Sequence, residues 1–179
     1  MPFSMAVFAM LVVLAGASNL RLVAPYQSAV VERLGRYHRL LGPGLHWLVP
    51  GVDRLRALPQ LSRRGVIDCR ETAMPFSFSH PAQGAAVGWH IQGHLWFCLD
   101  DVAAAAYAPQ PLPEQLQRVA QSQLLQLLSN TDPARVIAVQ WLPQWQSRID
   151  AIFMRWGVRL VRITLVRCEL LPVRSQLSR

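Results

Sequence analysis

Three side chains able to hold a metal recur at every fourth position in the middle of the chain: His90, His94 and Cys98. Imidazole and thiolate are common zinc donors, and on one face of a helix this spacing would turn all three toward a single ion. The intervening residues decide otherwise. From Ala85 to Asp100 the chain alternates, with Val87, Trp89, Ile91, Leu95, Phe97 and Leu99 on one face and Gly93 as the gap. His90, Gln92, His94, Trp96, Cys98 and Asp100 fall on the other face. A period of two is that of a half-buried antiparallel strand. On a strand His90 and His94 stand about 13 Å apart at ~3.3 Å per residue, whereas zinc ligands lie about 2.0–2.3 Å from the metal. The expectation is a polar strand face, with no metal and no cofactor.

Other chemistries close in the same way. All 18 cations of the 179-residue chain are Arg, so Schiff-base, P-loop and kinase-type lysine chemistry are excluded. There is no Gly-x-Ser-x-Gly, Walker A or Gly-x-Gly-x-x-Gly motif. Cys69, Cys98 and Cys168 are an odd set without framework spacing, which suits a reducing compartment. The carboxylates are scattered except for Asp100-Asp101. The chain therefore reads as no enzyme, and a membrane-associated hydrolase built on Cys98 or a serine is the remote alternative.

The elements that position these residues are a mixture. Ser28–Leu34 is a valine-rich strand, broken by Gly35. Gly42-Pro43-Gly44 forms a tight turn, and Leu45–Val49 is a second strand-like run stopped by Pro50-Gly51. Pro113-Glu114 opens an amphipathic helix with Leu116, Val119, Ala120, Leu124, Leu127 and Leu128 at helical spacing. Asp132 and Pro133 read as N-cap and first position of a further helix. That helix carries Trp141, Trp145 and Trp156 as core residues, and Pro143 is expected to kink or divide it.

Charge is unevenly placed. Hydrophobic residues make up 52% of the chain and the net charge is +8, a composition that rules out intrinsic disorder. Residues 21–70 hold nine Arg against three acids, residues 71–150 three against six, and residues 151–179 six against one. Before all of these, Met1–Leu20 has no charged side chain. Twenty helical residues span about 30 Å, the thickness of a bilayer's hydrocarbon. An uncleaved anchor over 1–20 is the leading reading. A signal peptide cut after Ala17 is the alternative, although no cation precedes the apolar run. Arg21, Arg33, Arg36 and Arg39 all follow the span, so the positive-inside rule places the bulk of the chain on the cytoplasmic side. The arginines do not interleave with aromatics as in a nucleic-acid patch, so no nucleic-acid partner is expected.

The run Val30-Val-Glu-Arg-Leu-Gly-Arg-Tyr-His-Arg39, followed by Gly42-Pro-Gly-Leu-His-Trp-Leu-Val-Pro50 and Val52-Asp53-Arg54, closely resembles the start of the SPFH (band 7) domain of stomatin-like proteins. Glu32, Arg33, Gly35, Arg36, Gly42, Pro43, Gly44 and Pro50 are the residues that carry the motif. Weaker likeness continues at Asp100-Asp101-Val102, Val119-Ala120-Gln121 and Trp156–Leu165, reaching about residue 172. Residues 71–84 depart from the family pattern. The resemblance implies an α+β fold: a transmembrane helix (1–20), a β-rich membrane-proximal lobe (21–70), a strand–helix–helix–strand lobe (71–172) and a short tail (173–179). It also implies a scaffold or adaptor role, with membrane lipids, other SPFH subunits and a membrane protease as partners. Leu45, Trp47, Leu48 and Val49 would lie in the leaflet, with Arg21, Arg33, Arg36 and Arg39 on its phosphates. Relatives continue into a long Ala/Glu-rich helix; only seven residues follow Pro172 here. The expectation is a short form, and the alternative role is an accessory subunit that co-assembles with a longer paralogue.

Overall fold

In the computed structural model, which describes residues 19–81, 87–129 and 139–172, the alternating and valine-rich runs become strands in two units, 1–70 and 71–179. Among its described residues the first unit's elements are all strands. β1 (Leu20–Val23) pairs antiparallel with β4 (Gly44–Trp47). β2 (Gln27–Arg33) is flanked by β3 (Arg36–Leu41) and β5 (Asp53–Arg56). Its N-terminal end also pairs with β7 (Val66–Asp68), which in turn pairs with β6 (Ser62–Arg63). Leu34 and Gly35, with φ of 52° and 79°, close the β2–β3 hairpin. Two consecutive positive φ values are what a two-residue turn needs to match the strands' right-handed twist. The core gathers Val23, Ala29, Val31, Leu41 and Leu48, with Leu55 and Val66 packed against it.

Both early strands lie where valine richness and Pro50 put them, within a residue or two. Residues 1–18 of the anchor expected over 1–20 lie outside the described residues, and Leu20 already belongs to β1. Among the described residues no helix is long and apolar enough to cross a membrane.

The second unit is a three-stranded antiparallel sheet in the order β10-β9-β8, formed by β8 (Thr72–Pro81), β9 (Val87–Leu99) and β10 (Val158–Pro172). Among the described residues three helices precede β10: α1 (Val102–Tyr107), α2 (Leu112–Leu128) and α3 (Leu142–Phe153), the last running into a 3-10 turn at Met154–Trp156. Asp101 caps α1 by accepting from the Ala104 N–H at 2.9 Å, which satisfies one of the helix's orphan donors. Trp89, Ile91, Leu95 and Phe97 are buried on one face of β9, as the alternation requires. At the gap in that face, Gly93 pairs with Phe76 of β8. A Cβ there would lie 2.4 Å from the Thr164 carbonyl oxygen and 2.9 Å from the Phe76 ring. Glycine is what lets that ring lie over the sheet.

β8 was not expected. Among the described residues a second strand thus precedes the helices, because Met74, Phe76 and Phe78 alternate inward. Pro75 is tolerated since β8 is an edge strand, where a missing N–H costs no ladder bond on the open side. The proposed Asp132–Pro133 helix start lies outside the described residues. Of the kink or division expected at Pro143 there is no kink: a turn at residues 139–141 precedes α3, and Pro143 sits in its first turn, where its missing N–H has no intrahelical partner to lose. Trp141 and Trp145 are buried, and Trp156 is half-buried. The Trp145 indole donates to the Ala120 carbonyl at 3.1 Å, tying α3 to α2. Its ring meets Phe76 edge-on at 5.3 Å.

Trp145→Ala is expected to cost about 3–5 kcal/mol, the range for emptying a fully buried aromatic site. A lowered urea midpoint of the second unit's transition at unchanged slope is the check.

Candidate membrane-contact surface

The β1–β4 register places Leu20 opposite Trp47 and Leu22 opposite Leu45. Directly paired residues of antiparallel strands share a face, as do positions two apart. The four side chains therefore form one cross-strand apolar ladder. They are not covered: exposure is 45% at Leu20, 75% at Leu22, 65% at Leu45 and 50% at Trp47. The opposite face of the same two strands carries Val23, which enters the core. A two-stranded sheet has only two faces, so seating Val23 inward sends the ladder outward.

The same alternation revises the expected contact residues. Leu48 is only 7% exposed and belongs to the core, so it is not a membrane-contact residue. Arg21 pairs with His46 on the face opposite the ladder. It is exposed there but does not project with Leu20 and Leu22. His46 Nε2 donates to the Gly42 carbonyl at 2.8 Å, bracing the Gly42-Pro43-Gly44 corner. Arg33 is committed elsewhere: its Nε and Nη2 donate to the two Asp53 carboxylate oxygens at 2.8 and 3.1 Å. Glu32 accepts from Arg56 at 2.7 Å. These two motif residues thus hold β5 onto β2. Arg36 and Arg39 are exposed, and Arg39 Nη2 donates to the Trp47 carbonyl at 3.0 Å, beside the ladder. Val49 is half-buried and Pro50 exposed where the chain leaves β4.

The Asp53 side chain is shielded from solvent, while its backbone is partly exposed. The Arg33 guanidinium, and next the Val49 N–H at 3.0 Å, hold its carboxyl down to about 2. Both favour the ionised form.

Leu20 and Leu22 were missed as contact residues because the uncharged run before them absorbs Leu20 into a notional helix. The available signal was their two-residue spacing, matched by Leu45 and Trp47. The residues considered for catalysis are dispersed. His90 Nδ1 lies 2.7 Å from the Ser79 hydroxyl. His94 is paired between Pro75 and Thr164, and buried Cys98 lies 3.7 Å from Arg159 Nη2. Among the described residues no three His, Cys, Asp or Glu side chains are grouped to hold a metal.

Comparison with known proteins agrees with this architecture. The model of the SPFH domain / Band 7 family matches residues 21–173. Human mitochondrial stomatin-like protein 2 is 29% identical over 145 residues, 79% of this chain and 38% of that protein. Protein HflK of Treponema pallidum is 43% identical over 49 residues, 27% of this chain and 15% of its own length. An uncharacterized protein of Methanothermobacter thermautotrophicus is 23% identical over 153 residues, covering 84% of this chain and 45% of the relative. The chain spans less than half the length of these relatives.

A carboxylate held below its ordinary value stabilises the fold above that ordinary value, and the contribution disappears as pH falls through the folded one. The first unit is therefore expected to lose stability from about pH 4 down to about 2. In Arg33→Gln the Asp53 midpoint should climb toward 3.8, and acid unfolding should begin at higher pH. Carboxyl-carbon NMR titration of Asp53 reads the first effect, and an unmoved midpoint would remove Arg33 as the cause.

Proposed function

The chain belongs to the SPFH domain / Band 7 family, and from that premise we propose that it is a non-enzymatic, membrane-anchored scaffold or adaptor that organises membrane proteins or lipids. The observation that carries this reading is the ladder of Leu20, Leu22, Leu45 and Trp47. Four large apolar side chains held side by side in water are unfavourable at roughly 25 cal/mol per Å². Contiguous patches of this kind mark interaction surfaces. Their occupant here is the bilayer. The uncharged run 1–20 leads straight into β1, so an anchor in that run delivers the ladder to the membrane surface. A Trp at the ladder's end suits the interface, where its apolar body and polar N–H are both accommodated.

In this arrangement Leu45, Trp47 and Val49 lie against the leaflet, and the body of the protein is on the cytoplasmic side, where the arginines following the run place it. Other SPFH subunits and a membrane protease are the proposed protein partners. They are supported by family membership and by the similarity to HflK and stomatin-like protein 2. No catalytic step is assigned to any residue.

Leu22→Asp combined with Leu45→Asp is expected to leave the circular dichroism spectrum unchanged, because both side chains are exposed. Crosslinking of the first unit to photoactivatable lipid should fall on the order of tenfold per leucine. Undiminished lipid crosslinking in the double variant would sink the contact assignment. Crosslinking in native membranes with mass spectrometry tests the partners, and recovery of the chain only as an uncrosslinked monomer would argue against a scaffold.

A further inference from the structure

The first unit carries nine Arg and three carboxylates, and the structure shows where those carboxylates are spent. Asp53 is taken by Arg33 and Glu32 by Arg56, and the Asp68 carboxylate accepts the Arg70 backbone N–H. Arg36 and Arg39 are exposed and join no ion pair among the described residues. Their placement is specific. β3 pairs Leu41 with Ala29, Arg39 with Val31 and Arg36 with Arg33. Ala29, Val31 and Arg33 alternate onto one face of β2, the face that contributes Ala29 and Val31 to the core with Val23 and Leu48. The extra β3 residue at His38 is absorbed by a bulge between Val31 and Glu32, which is what keeps Arg36 in phase with Arg39. Both arginines therefore project toward the β1–β4 sheet. Arg39 reaches the Trp47 carbonyl on the side of β4 that β1 leaves free. Arg36 lies one step along, opposite the Arg33–Asp53 pair that also holds Val49.

Resting on the membrane-contact reading above, we propose that Arg36 and Arg39 form a cationic rim along the free side of β4, and that through it the first unit selects anionic over zwitterionic bilayers. The ladder supplies contact that any acyl chain satisfies, whereas the rim supplies attraction that only a net negative surface returns. Arg suits the role, since its planar fork binds phosphate bidentately. Apolar insertion and a cationic patch are the two signals that together give stable surface attachment. Arg21, on the far face of β1, is not part of the rim.

The test uses the full chain reconstituted into vesicles whose acyl chains are brominated, made of phosphatidylcholine or of an equimolar phosphatidylcholine–phosphatidylglycerol mixture. The quenching lost in Trp47→Phe reports the ladder in the bilayer. It should be larger in the anionic mixture and fall toward the phosphatidylcholine level at high salt. It should fall likewise in Arg36→Gln/Arg39→Gln, with the docked-to-undocked ratio dropping on the order of fivefold per arginine. Arg36→Gln alone, which disturbs no described hydrogen bond, should give half of the double variant's effect on a logarithmic scale. Equal Trp47 quenching in both compositions would overturn anionic selection while leaving the contact reading in place. A preference that survives the double variant would overturn the rim. No Trp47-dependent quenching in either vesicle would remove the contact reading itself.

Discussion

Asp53 sits at the first position of β5, its side chain closed off from solvent, and accepts three hydrogen bonds: two from the Arg33 guanidinium at the end of β2 and one from the Val49 N–H just beyond β4. One carboxylate thus fastens three segments that are up to twenty residues apart in the chain. An ionised group without solvent is tolerated only when fully partnered, so the geometry around it is demanding. Arg33 must leave the hairpin on the right face, β5 must pair with β2 in register, and the chain must turn sharply at Val49–Val52. The placement of β4, and of everything β4 displays, follows from this corner.

What β4 displays is settled by strand alternation. Leu48 and Val23 are drawn into the core with Ala29, Val31 and Leu41, so Leu45, Trp47, Leu20 and Leu22 are turned out into water. No local preference of those leucines accounts for their exposure; it is the far side of a core that had to be filled. The arginines are sorted by the same rule. Those facing acids become structural ties, and those facing none remain as surface charge. Arg33 and Arg36, three residues apart and directly paired across the hairpin, have opposite fates for this reason.

The second unit rests on a different constraint. β9 is the central strand, and its apolar face must accommodate Phe76 from β8 and helix side chains including Trp145. Gly93 makes room at the one point where a side chain would strike both a ring and a backbone carbonyl. The face that carries His90, His94 and Cys98 looks away from this core. Those residues are spaced along the strand like any polar face: His90 and His94 are half-buried and Cys98 is buried.

Much of this was legible from residue order alone. The two early strands, the long alternating strand and the amphipathic helix each carried a strong local period, and the VVERLGRYHR and GPGLHWLVP runs identified the family. β8 also carried a period of two at Met74, Phe76 and Phe78, but Pro75 and the departure from the family pattern masked it. The sequence by itself determined that Ser28–Leu34, Leu45–Val49 and the long alternating run are strands, that a helix follows Pro113-Glu114, and that the charge excess follows an uncharged run, because propensity, period and composition are local or additive. Only the tertiary structure decided that Leu48 is core, that Leu20 and Leu22 join Leu45 and Trp47, and that Arg33 is consumed while Arg36 and Arg39 are not. Those outcomes depend on register and on which face the core claims, and both are set by contacts between residues far apart in the chain.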